Sequence, residues 1–389
     1  MKIGVYGGSF NPVHGGHINL AEAAVETLGL DRLFIVPVGK PWYKDDNNLI
    51  SGEHRINMCD LAFKDVPNTE VLDYEINKKE RNYTVSTIHW LKSNYANAEF
   101  YVIMGADMFQ TLKNWRCFEE LKSMVKFCVA ARNCDNNKEI SEYKKTLEQI
   151  GADVIVLPVD VVEISSSEIR KSIEKGEKPE YLTEKVYSYI KQNKLYGYDR
   201  DYIYPFEDFR ELLKTKVEEK RYIHSVNVAE CAGHLAEKYG YNVHMAKVAG
   251  ILHDICKRMD IDEQIKLIKA SRVKWDELTF EKKKILHGLS AAEYIFNELG
   301  VYNTDIINAV RYHTTGRPAM GLLEKIVYIA DAISAERDYP DVDVVRAYAE
   351  EDLDKAAGYI AYYTLDKLYK SRESITEITV TTFNYYCAD

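Results

Sequence analysis

The period of the apolar residues changes near Gly197, and this change constrains the fold more than any other feature of the sequence. Before Gly197, short apolar runs alternate with helical segments, as in α/β domains whose parallel sheet is covered on both faces. After it, the apolar residues recur only with helical spacing. We therefore expect a Rossmann-like, doubly wound α/β domain (residues 1–197), a short linker (198–205) and an all-α helical bundle (206–389).

Six segments of the first half have the composition of strands in a parallel sheet. The predicted strands cover residues 2–6, 33–37, 69–76, 100–104, 127–131 and 154–158. A chain of 389 residues is long enough for two domains that each bury a core.

The composition argues against several classes of protein. The 61 acidic residues outnumber the 51 basic ones, and a net charge of −10 disfavours nucleic acid as a partner. No apolar run approaches the ~20 residues of a membrane span, and the N-terminus lacks the features of a signal peptide. The seven cysteines form no Cys-X-X-Cys pair, which is typical of reduced thiols. We expect a cytoplasmic protein that does not act at a membrane.

A glycine-rich segment follows the first predicted strand and leads into a helix. Residues 7–17 read GGSFNPVHGGH. Because glycine lacks a Cβ atom, this backbone can approach phosphates closely, and the amides of the helix N-terminus add a positive dipole end. His14 and His17 flank the helix start, where imidazole N–H groups can stabilise charge on a transferring phosphoryl group. The segment predicts a phosphate-binding site.

A second segment, 164–170 (ISSSEIR), follows the last predicted strand. Ser165 and Glu168 have the spacing of a capping box, and the segment taken alone favours a well-capped helix. Its three serine hydroxyls and Arg170 are also the groups that a polyphosphate requires. Both segments follow the carboxyl ends of strands, where open α/β sheets bind ligands. Together they predict one nucleotide site.

These two segments resemble the HxGH-type nucleotidyltransferases. Residues 82–87 (NYTVST), 105–107 (GAD) and Trp115 resemble, more narrowly, the nicotinate-mononucleotide adenylyltransferases. The resemblance implies that nicotinate mononucleotide attacks the α-phosphorus of ATP, assisted by Mg²⁺, and that nicotinate adenine dinucleotide and pyrophosphate are released. Another adenylyltransferase of this fold, such as one acting on phosphopantetheine, is the alternative.

The resemblance also implies roles for individual residues. His14, His17 and Arg170 stabilise the transferring and leaving phosphates. Trp115 offers a flat face to the pyridine ring and Asp107 contacts a ribose hydroxyl; core packing and a helix cap are the respective alternatives. The other implied nucleotide contacts are Gly7, Gly8, Ser9, Phe10, Lys44, Tyr83, Thr84, Gly105, Arg132, Ile164, Ser165, Ser166 and Ser167.

The helical half carries histidines and aspartates in phase with apolar residues that face the interior. These candidate metal ligands are His224, His253, Asp254, His287, His313 and Asp331, spread over five helical segments. A single inward histidine is more often a hydrogen-bonded core residue. However, two carboxylates with no matching lysine or arginine among these positions are costly to bury unless metal ions neutralise them. Nitrogen and oxygen donors without thiolate suit Fe, Mn, Co or Zn.

The order H…HD…H…H…D resembles the HD-domain metallophosphohydrolases. The flanking segments resemble the YqeK-type symmetric diadenosine tetraphosphate hydrolases; they are 221–225 (RYIHS), 252–257 (LHDICK), 286–288 (LHG), 312–316 (YHTTG) and 328–331 (YIAD). This resemblance implies two metal ions, iron in that family, and cleavage of diadenosine tetraphosphate into two ADP. It assigns phosphate contacts to Lys257, Thr314, Thr315 and Arg337.

Some positions depart from these patterns. Asn11 stands where many adenylyltransferases have aspartate, and residues 42–44 (WYK) replace a more usual Pro-His-Lys. Ala332, Ser334 and Ala335 replace the Lys, Glu and Pro usual after the last aspartate of the hydrolases. For the second half, a non-catalytic nucleotide sensor and a hydrolase of other nucleotides stay open. So does a homo-oligomer.

Overall fold

A computed structural model of the chain describes residues 1–39, 49–78, 80–131, 138–159 and 165–387. The chain divides into two compact units, Met1–Arg200 and Asp201–Asp389. This division falls within the stretch 198–205 that we predicted to be a linker. Lys44, Arg132 and Ile164 lie outside the described residues, so their nucleotide contacts stay predictions.

The first unit is built on a six-stranded parallel sheet, which confirms the predicted α/β class. Its order is β3-β2-β1-β4-β5-β6, and all neighbouring strands run parallel. Because chain progression reverses between β1 and β4, the ligand crevice is expected at the carboxyl ends of these strands. The strands are β1 (Lys2–Gly8), β2 (Arg32–Pro37), β3 (Thr69–Val71), β4 (Glu99–Met104), β5 (Val125–Ala131) and β6 (Val154–Pro158).

The predicted third strand, 69–76, is wrong in its length. β3 ends at Val71, and a turn follows in which the amide of Asn77 donates to the carbonyl oxygen of Asp73 (3.0 Å). The carboxylate of Glu75 is buried within this turn and accepts a hydrogen bond from the Thr87 hydroxyl (2.6 Å). This contact fixes the turn where a strand would otherwise continue.

Helices flank the sheet, and two of them start beside its carboxyl edge. Ile3 and Val5 of β1 pack with Ile88 and Leu91 of α3 in one buried cluster. α1 follows β1 and α7 follows β6, so the N-termini of both helices lie on the side of the sheet where ligands are expected. The helices are α1 (Gly15–Leu28), α2 (Gly52–Phe63), α3 (Thr84–Asn94), α4 (Ala106–Gln110), α5 (Phe118–Leu121), α6 (Lys138–Gln149), α7 (Ser166–Glu174) and α8 (Glu184–Gln192).

The second unit contains only helices among its described residues, which confirms the predicted all-α class. Nowhere in the described part of the chain is a helix both long and apolar enough to span a membrane. The helices are α9 (Phe206–Lys216), α10 (Glu219–Lys238), α11 (Val243–Leu252), α12 (Ile261–Ala270), α13 (Glu277–Glu281), α14 (Lys283–Glu298), α15 (Thr304–Tyr312), α16 (Leu322–Ile333), α17 (Val342–Glu351), α18 (Leu353–Lys370) and α19 (Glu377–Cys387).

Two glycines determine how closely the helices of this unit approach one another. A Cβ atom at Gly250 in α11 would lie 2.7 Å from Cα of Ala229 in α10. A Cβ atom at Gly288 in α14 would lie 2.9 Å from Cε1 of His313, just after α15. Since real Cβ contacts are longer than this, only glycine permits these approaches. They bring the histidine-bearing segments together.

Candidate functional site

The first predicted site lies where β1 ends and α1 begins. The amide of His14 donates to Nδ1 of His17 (3.2 Å), so the neutral His17 ring carries its proton on Nε2. Nδ1 of His14 is buried and has no hydrogen-bond partner among the described residues. The centres of the two rings are 3.8 Å apart. Both imidazoles are thus available as N–H donors beside the start of a helix.

Burial keeps these two imidazoles uncharged. It lowers the pKa of His14 from 6.5 to about 4. Burial, together with the neighbouring His14, lowers the pKa of His17 well below 6.5. Without ligand, the rings are therefore hydrogen-bond donors rather than cations. A bound phosphate would favour their protonated forms and raise both pKa values.

Ser165 caps α7, in agreement with the alternative that this segment is a well-capped helix. Its Oγ accepts a hydrogen bond from the amide of Glu168 (3.2 Å), and the Glu168 carboxylate accepts one from the amide of Ser165 (2.9 Å). This reciprocal capping confirms the predicted capping box. The predicted contact of Ser165 with phosphate stays a prediction.

Side chains of α7 bond directly to the glycine-rich loop. The Ser166 hydroxyl donates to the carbonyl oxygen of Pro12 (3.0 Å), and the Arg170 guanidinium donates to that of Asn11 (2.7 Å). The side-chain oxygen of Asn11 accepts a hydrogen bond from the Tyr196 hydroxyl (3.0 Å). The two predicted motifs therefore form one structure, in which Asn11 has a structural role.

Arg55 supports the same loop, although the sequence motifs gave no sign of it. Its side chain is 1 % exposed and donates to the carbonyl oxygens of Ser9 (3.0 Å), Val38 (2.7 Å) and Ile50 (3.2 Å). A buried guanidinium bound only to carbonyls keeps its full positive charge next to the loop. Its position in the buried face of α2, amid apolar residues, is the one sequence signal that could have revealed it.

A cavity of about 110 Å³ brings the loop together with the segments predicted to bind the pyridine ring. Gly7 and Gly8 line it, as do Tyr83 and Thr84 at the start of α3, and Trp115. Trp115 is partly buried and packs against the hydrophobic cluster of this unit, so both its predicted pyridine contact and the alternative of core packing stay open. The cavity thus combines the backbone of the glycine-rich loop with aromatic side chains, whereas His14, His17 and Arg170 are not among its lining residues.

Further residues of this cavity were missed by the motif analysis. Arg116 lines it, and its guanidinium lies over the Tyr83 ring, 4.5 Å from the ring centre. Glu75 and Asn82 contribute buried polar groups to the wall. Asp107, predicted to contact ribose, is exposed in the first turn of α4, whose cap residue is Gly105, so the alternative of a capping role for Asp107 is wrong.

The second predicted site is a cluster of the six candidate metal ligands. Their ligand atoms form three overlapping groups, and within each group the atoms lie within 4.8 Å of one another. The groups contain His224, His253 and Asp254; His253, His313 and Asp331; and Asp254, His287 and His313. Five segments of the chain therefore converge, as the helical phases predicted.

Three of the four imidazoles of this cluster are held in one orientation by bonds at Nδ1. Nδ1 of His253 donates to the carbonyl oxygen of Gly250 (2.6 Å), and Nδ1 of His313 donates to that of Val310 (2.7 Å). Nδ1 of His224 bonds to the Glu336 carboxylate. In its neutral form, each of these three rings carries the proton on Nδ1 and turns Nε2 towards the cluster, as metal-ligating histidines do.

Several inward-facing atoms lack hydrogen bonds. Among the described residues, Nε2 of His224, Nε2 of His253 and Oδ1 of Asp254 are buried and form no hydrogen bond. Nε2 of His224 nevertheless lies 3.0 Å from Oδ1 of Asp331, and Oδ1 of Asp254 lies 3.0 Å from Nε2 of His287. Such groups are rare in folded proteins unless an ion or a water binds them. Burial also lowers the pKa of His313 to about 3, which keeps this imidazole in its neutral, ligating form. The donor set fits divalent metal ions.

The expectation that the two carboxylates lack matching cations is wrong. Nη1 of Arg221 lies 2.8 Å from Oδ2 of Asp254, and Arg337 forms an ion pair with Asp331. Lys257 Nζ lies 3.6 Å from Oδ1 of Asp254. The burial cost of the carboxylates is therefore partly offset by arginine and lysine. The case for metal binding rests on the oriented imidazoles and the orphaned donor atoms.

Three of the four predicted phosphate-binding residues border this cluster. Lys257 Nζ lies 3.0 Å from Nε2 of His287, and Oγ1 of Thr314 lies 3.0 Å from Nε2 of His313. Arg337 borders the cluster because it forms an ion pair with Asp331. Thr315, in contrast, is buried and donates to the carbonyl oxygen of Gly316 (2.9 Å), so the structure uses its hydroxyl in a turn.

Two family models match the chain. Residues 5–172 match the model described as Cytidylyltransferase-like, and residues 221–336 match the HD domain. A fold and site of this kind define an enzyme that joins a nucleotidyltransferase unit to an HD-type, divalent-metal-binding unit.

A Mycoplasma genitalium protein named "Probable nicotinate-nucleotide adenylyltransferase/Ap4A hydrolase" is 30% identical over 337 residues, which cover 87% of this chain and 88% of that protein. The chain belongs to this bifunctional family, and both predicted resemblances are confirmed.

Two further matches each cover one half of the chain. A Clostridium acetobutylicum protein named "Probable nicotinate-nucleotide adenylyltransferase" is 36% identical over 197 residues, covering 50% of this chain and 98% of that protein. A crystal structure from the same organism, described as a predicted HD superfamily hydrolase involved in NAD metabolism, is 31% identical, with a TM-score of 0.46. It covers 48% of this chain and 98% of that one.

Proposed function

We propose that the first unit transfers the adenylyl group of ATP to nicotinate mononucleotide, and that the second hydrolyses diadenosine tetraphosphate to two ADP. The relative that matches both halves of the chain bears names for both activities. The observation that carries the proposal is the presence of a set of phosphate-directed groups among the described residues of each unit.

In the first unit, catalysis consists of positioning and charge stabilisation. Nε2 of His17 and Nδ1 of His14 donate hydrogen bonds to the phosphate that gains charge in the transition state. The amides at the start of α1 and the charge of Arg55 add to this field. Mg²⁺ bound with ATP would supply further neutralisation of the phosphates.

The pyridine end of the cavity favours a nicotinate substrate. Trp115 offers a ring face, and the backbone of Tyr83 and Thr84 at the start of α3 offers amides to a carboxylate. Arg116 places a cation on the same wall. We expect nicotinate mononucleotide to be used at least tenfold more efficiently than the neutral nicotinamide analogue.

The test measures pyrophosphate release from ATP with nicotinate mononucleotide, nicotinamide mononucleotide or phosphopantetheine as acceptor. Release with nicotinate mononucleotide is the expected result. Release only with phosphopantetheine, or with no acceptor of the three, would remove the assignment.

In the second unit, the six clustered ligands would hold two metal ions, which we propose to be iron. When bound, such ions polarise a phosphate and lower the pKa of an attacking water. Lys257, Thr314 and Arg337 at the edge of the cluster bind the phosphates and orient the bond that is cleaved. The Nδ1 hydrogen bonds keep the imidazoles in their ligating orientation.

Elemental analysis of protein purified without oxygen, combined with chromatography of products from a nucleotide panel, tests this assignment. Two metal ions per chain and ADP as the single product from diadenosine tetraphosphate are expected. Metal-loaded protein that binds this nucleotide but releases no ADP would instead be a sensor. A cytoplasmic location and the domain limits 197 and 206 stay predictions.

A further inference from the structure

A cleft in the second unit borders the candidate metal centre, and four of its eight lining residues are lysine or arginine. It has a volume of about 290 Å³ and reaches His287, one of the candidate ligands. Lys257, Arg258, Lys283 and Lys284 line its walls. Four basic side chains of two segments, one after α11 and one at the start of α14, therefore face one space beside the metal cluster.

Two of these cations lack ion-pair partners. In the part of the chain that the structure describes, neither Arg258 nor Lys283 forms an ion pair, whereas Lys284 pairs with Glu373 (3.2 Å). Uncompensated like charges around one cleft repel one another, and a polyanion bound between them would relieve that repulsion.

A second cavity shares two lining lysines with the cleft. Lys283 and Lys284 line this second cavity of about 250 Å³, together with Ile285, Leu368 and Thr376. Its lining also includes Lys282, Glu281 and Glu373, and the two carboxylates together with the apolar and hydroxyl groups suit a nucleoside better than a further phosphate. A ligand that entered both cavities would be anionic next to the metal cluster and less polar at its far end.

We propose that this cleft binds the part of a phosphate chain that extends beyond the cleaved phosphate, so that the second unit selects nucleoside polyphosphates over mononucleotides. The inference rests on the proposed hydrolase function and names the groups that would recognise chain length. A single phosphate needs only the metal cluster. Consecutive phosphates carry charges at short intervals, and a row of guanidinium and ammonium groups matches them.

The test compares two inorganic probes that differ in chain length. The full-length, metal-loaded protein is titrated calorimetrically with tripolyphosphate and with orthophosphate. We expect the double variant Arg258→Gln/Lys283→Gln to weaken tripolyphosphate binding about three- to tenfold and orthophosphate binding by less than twofold. The difference should shrink at high ionic strength, because exposed charges are screened.

Lys266→Gln is the matched control. Lys266 is an exposed lysine of α12 that lies outside the cleft and forms no ion pair among the described residues, so its loss should change neither titration. Thermal unfolding and metal content check that the double variant is folded and loaded. If it does not fold, the two single variants and the salt dependence of the unmodified protein provide the same comparison.

Equal affinity for tripolyphosphate in the double variant and the unmodified protein would overturn the proposal. A KM for diadenosine tetraphosphate that is unchanged in the double variant would overturn it too, with the hydrolase function intact. In contrast, cleft-dependent binding of tripolyphosphate without any ADP release from diadenosine tetraphosphate would remove the hydrolase function and leave the cleft as a binding site.

Discussion

The two units differ in how they form a candidate phosphate-binding site. In the first, the positive field comes from helix N-termini, a buried arginine and two uncharged imidazoles, and most contacts lie within two short segments. In the second, the site consists of side chains from five helical segments that converge on one point. The first site is therefore complete when the chain folds, whereas the second depends on ions that it must acquire.

The strongest test of this contrast is the substitution Asp254→Asn. Asp254 belongs to two of the candidate ligand groups, and its buried Oδ1 forms no hydrogen bond in the described part of the chain. We expect the loss of bound metal and a decrease of about a thousandfold or more in ADP release, with unchanged adenylyl transfer. Metal content and both activities are measured on one preparation. Retention of metal and hydrolysis would exclude Asp254 as a required metal ligand.

The reciprocal change is His17→Ala in the first unit. It removes an N–H donor at the transferring phosphate, and we expect kcat for adenylyl transfer to fall about a hundred- to a thousandfold. KM for ATP should change less, since the contact strengthens mainly in the transition state. ADP release and metal content provide the internal control. A fall in kcat of less than threefold would exclude a catalytic role.

Substitution of Glu336 is expected to have a smaller effect, because Glu336 would influence a bound metal ion only through its contact with His224. Its carboxylate bonds to Nδ1 of His224 and accepts a hydrogen bond from Asn227 (2.7 Å). We expect Glu336→Gln to weaken metal affinity about 10- to 100-fold in a chelator competition assay. Glu350→Gln is the control, since Glu350 contacts His234 (3.2 Å) on the exposed surface. Equal metal affinity in both variants would contradict this role.

The smallest expected effect concerns pH and the first unit alone. His14 has a folded pKa of about 4 against 6.5 when unfolded, so the unfolded chain binds the extra proton as pH falls. Stability from this group is complete above pH 6.5 and is lost towards pH 4. We expect a loss of roughly 1 to 2 kcal/mol between pH 7 and 5.

Denaturant unfolding followed by hydrogen exchange of the first unit measures this loss. His14→Gln should show a shallower pH dependence than the unmodified protein over the same interval. Parallel pH profiles for the two proteins would mean that the His14 imidazole is hydrated and not held neutral by burial.

Most of the architecture was accessible from the sequence because it depends on local periodicity and on contiguous motifs. The six strands, the helical second half and the convergence of the metal-ligand candidates all follow from residue spacing. The end of β3 at Val71 could not be predicted from the sequence. The turn that follows it is held by the hydrogen bond from Thr87 to Glu75, and these two residues lie in different segments of the chain.

The interaction partners of the charged residues could not be predicted from the sequence either. Arg55 binds only backbone carbonyls, which no residue type in the sequence reveals. Arg221 precedes His224 by one helical turn and Arg337 follows the end of α16, so neither lies in the ligand pattern. Thr315 belongs to a recognisable motif, yet its hydroxyl points into its own turn.

Gly288 has no side chain, and this allows a segment that carries a candidate metal ligand to pack closely against it. Its α-hydrogen faces the ring of His313, and even one added methyl group would come within 2.9 Å of Cε1. A survey of all single substitutions should therefore find position 288 as intolerant as the ligand positions themselves. The distances between the candidate metal ligands therefore depend on how closely the helix backbones that carry them can approach one another.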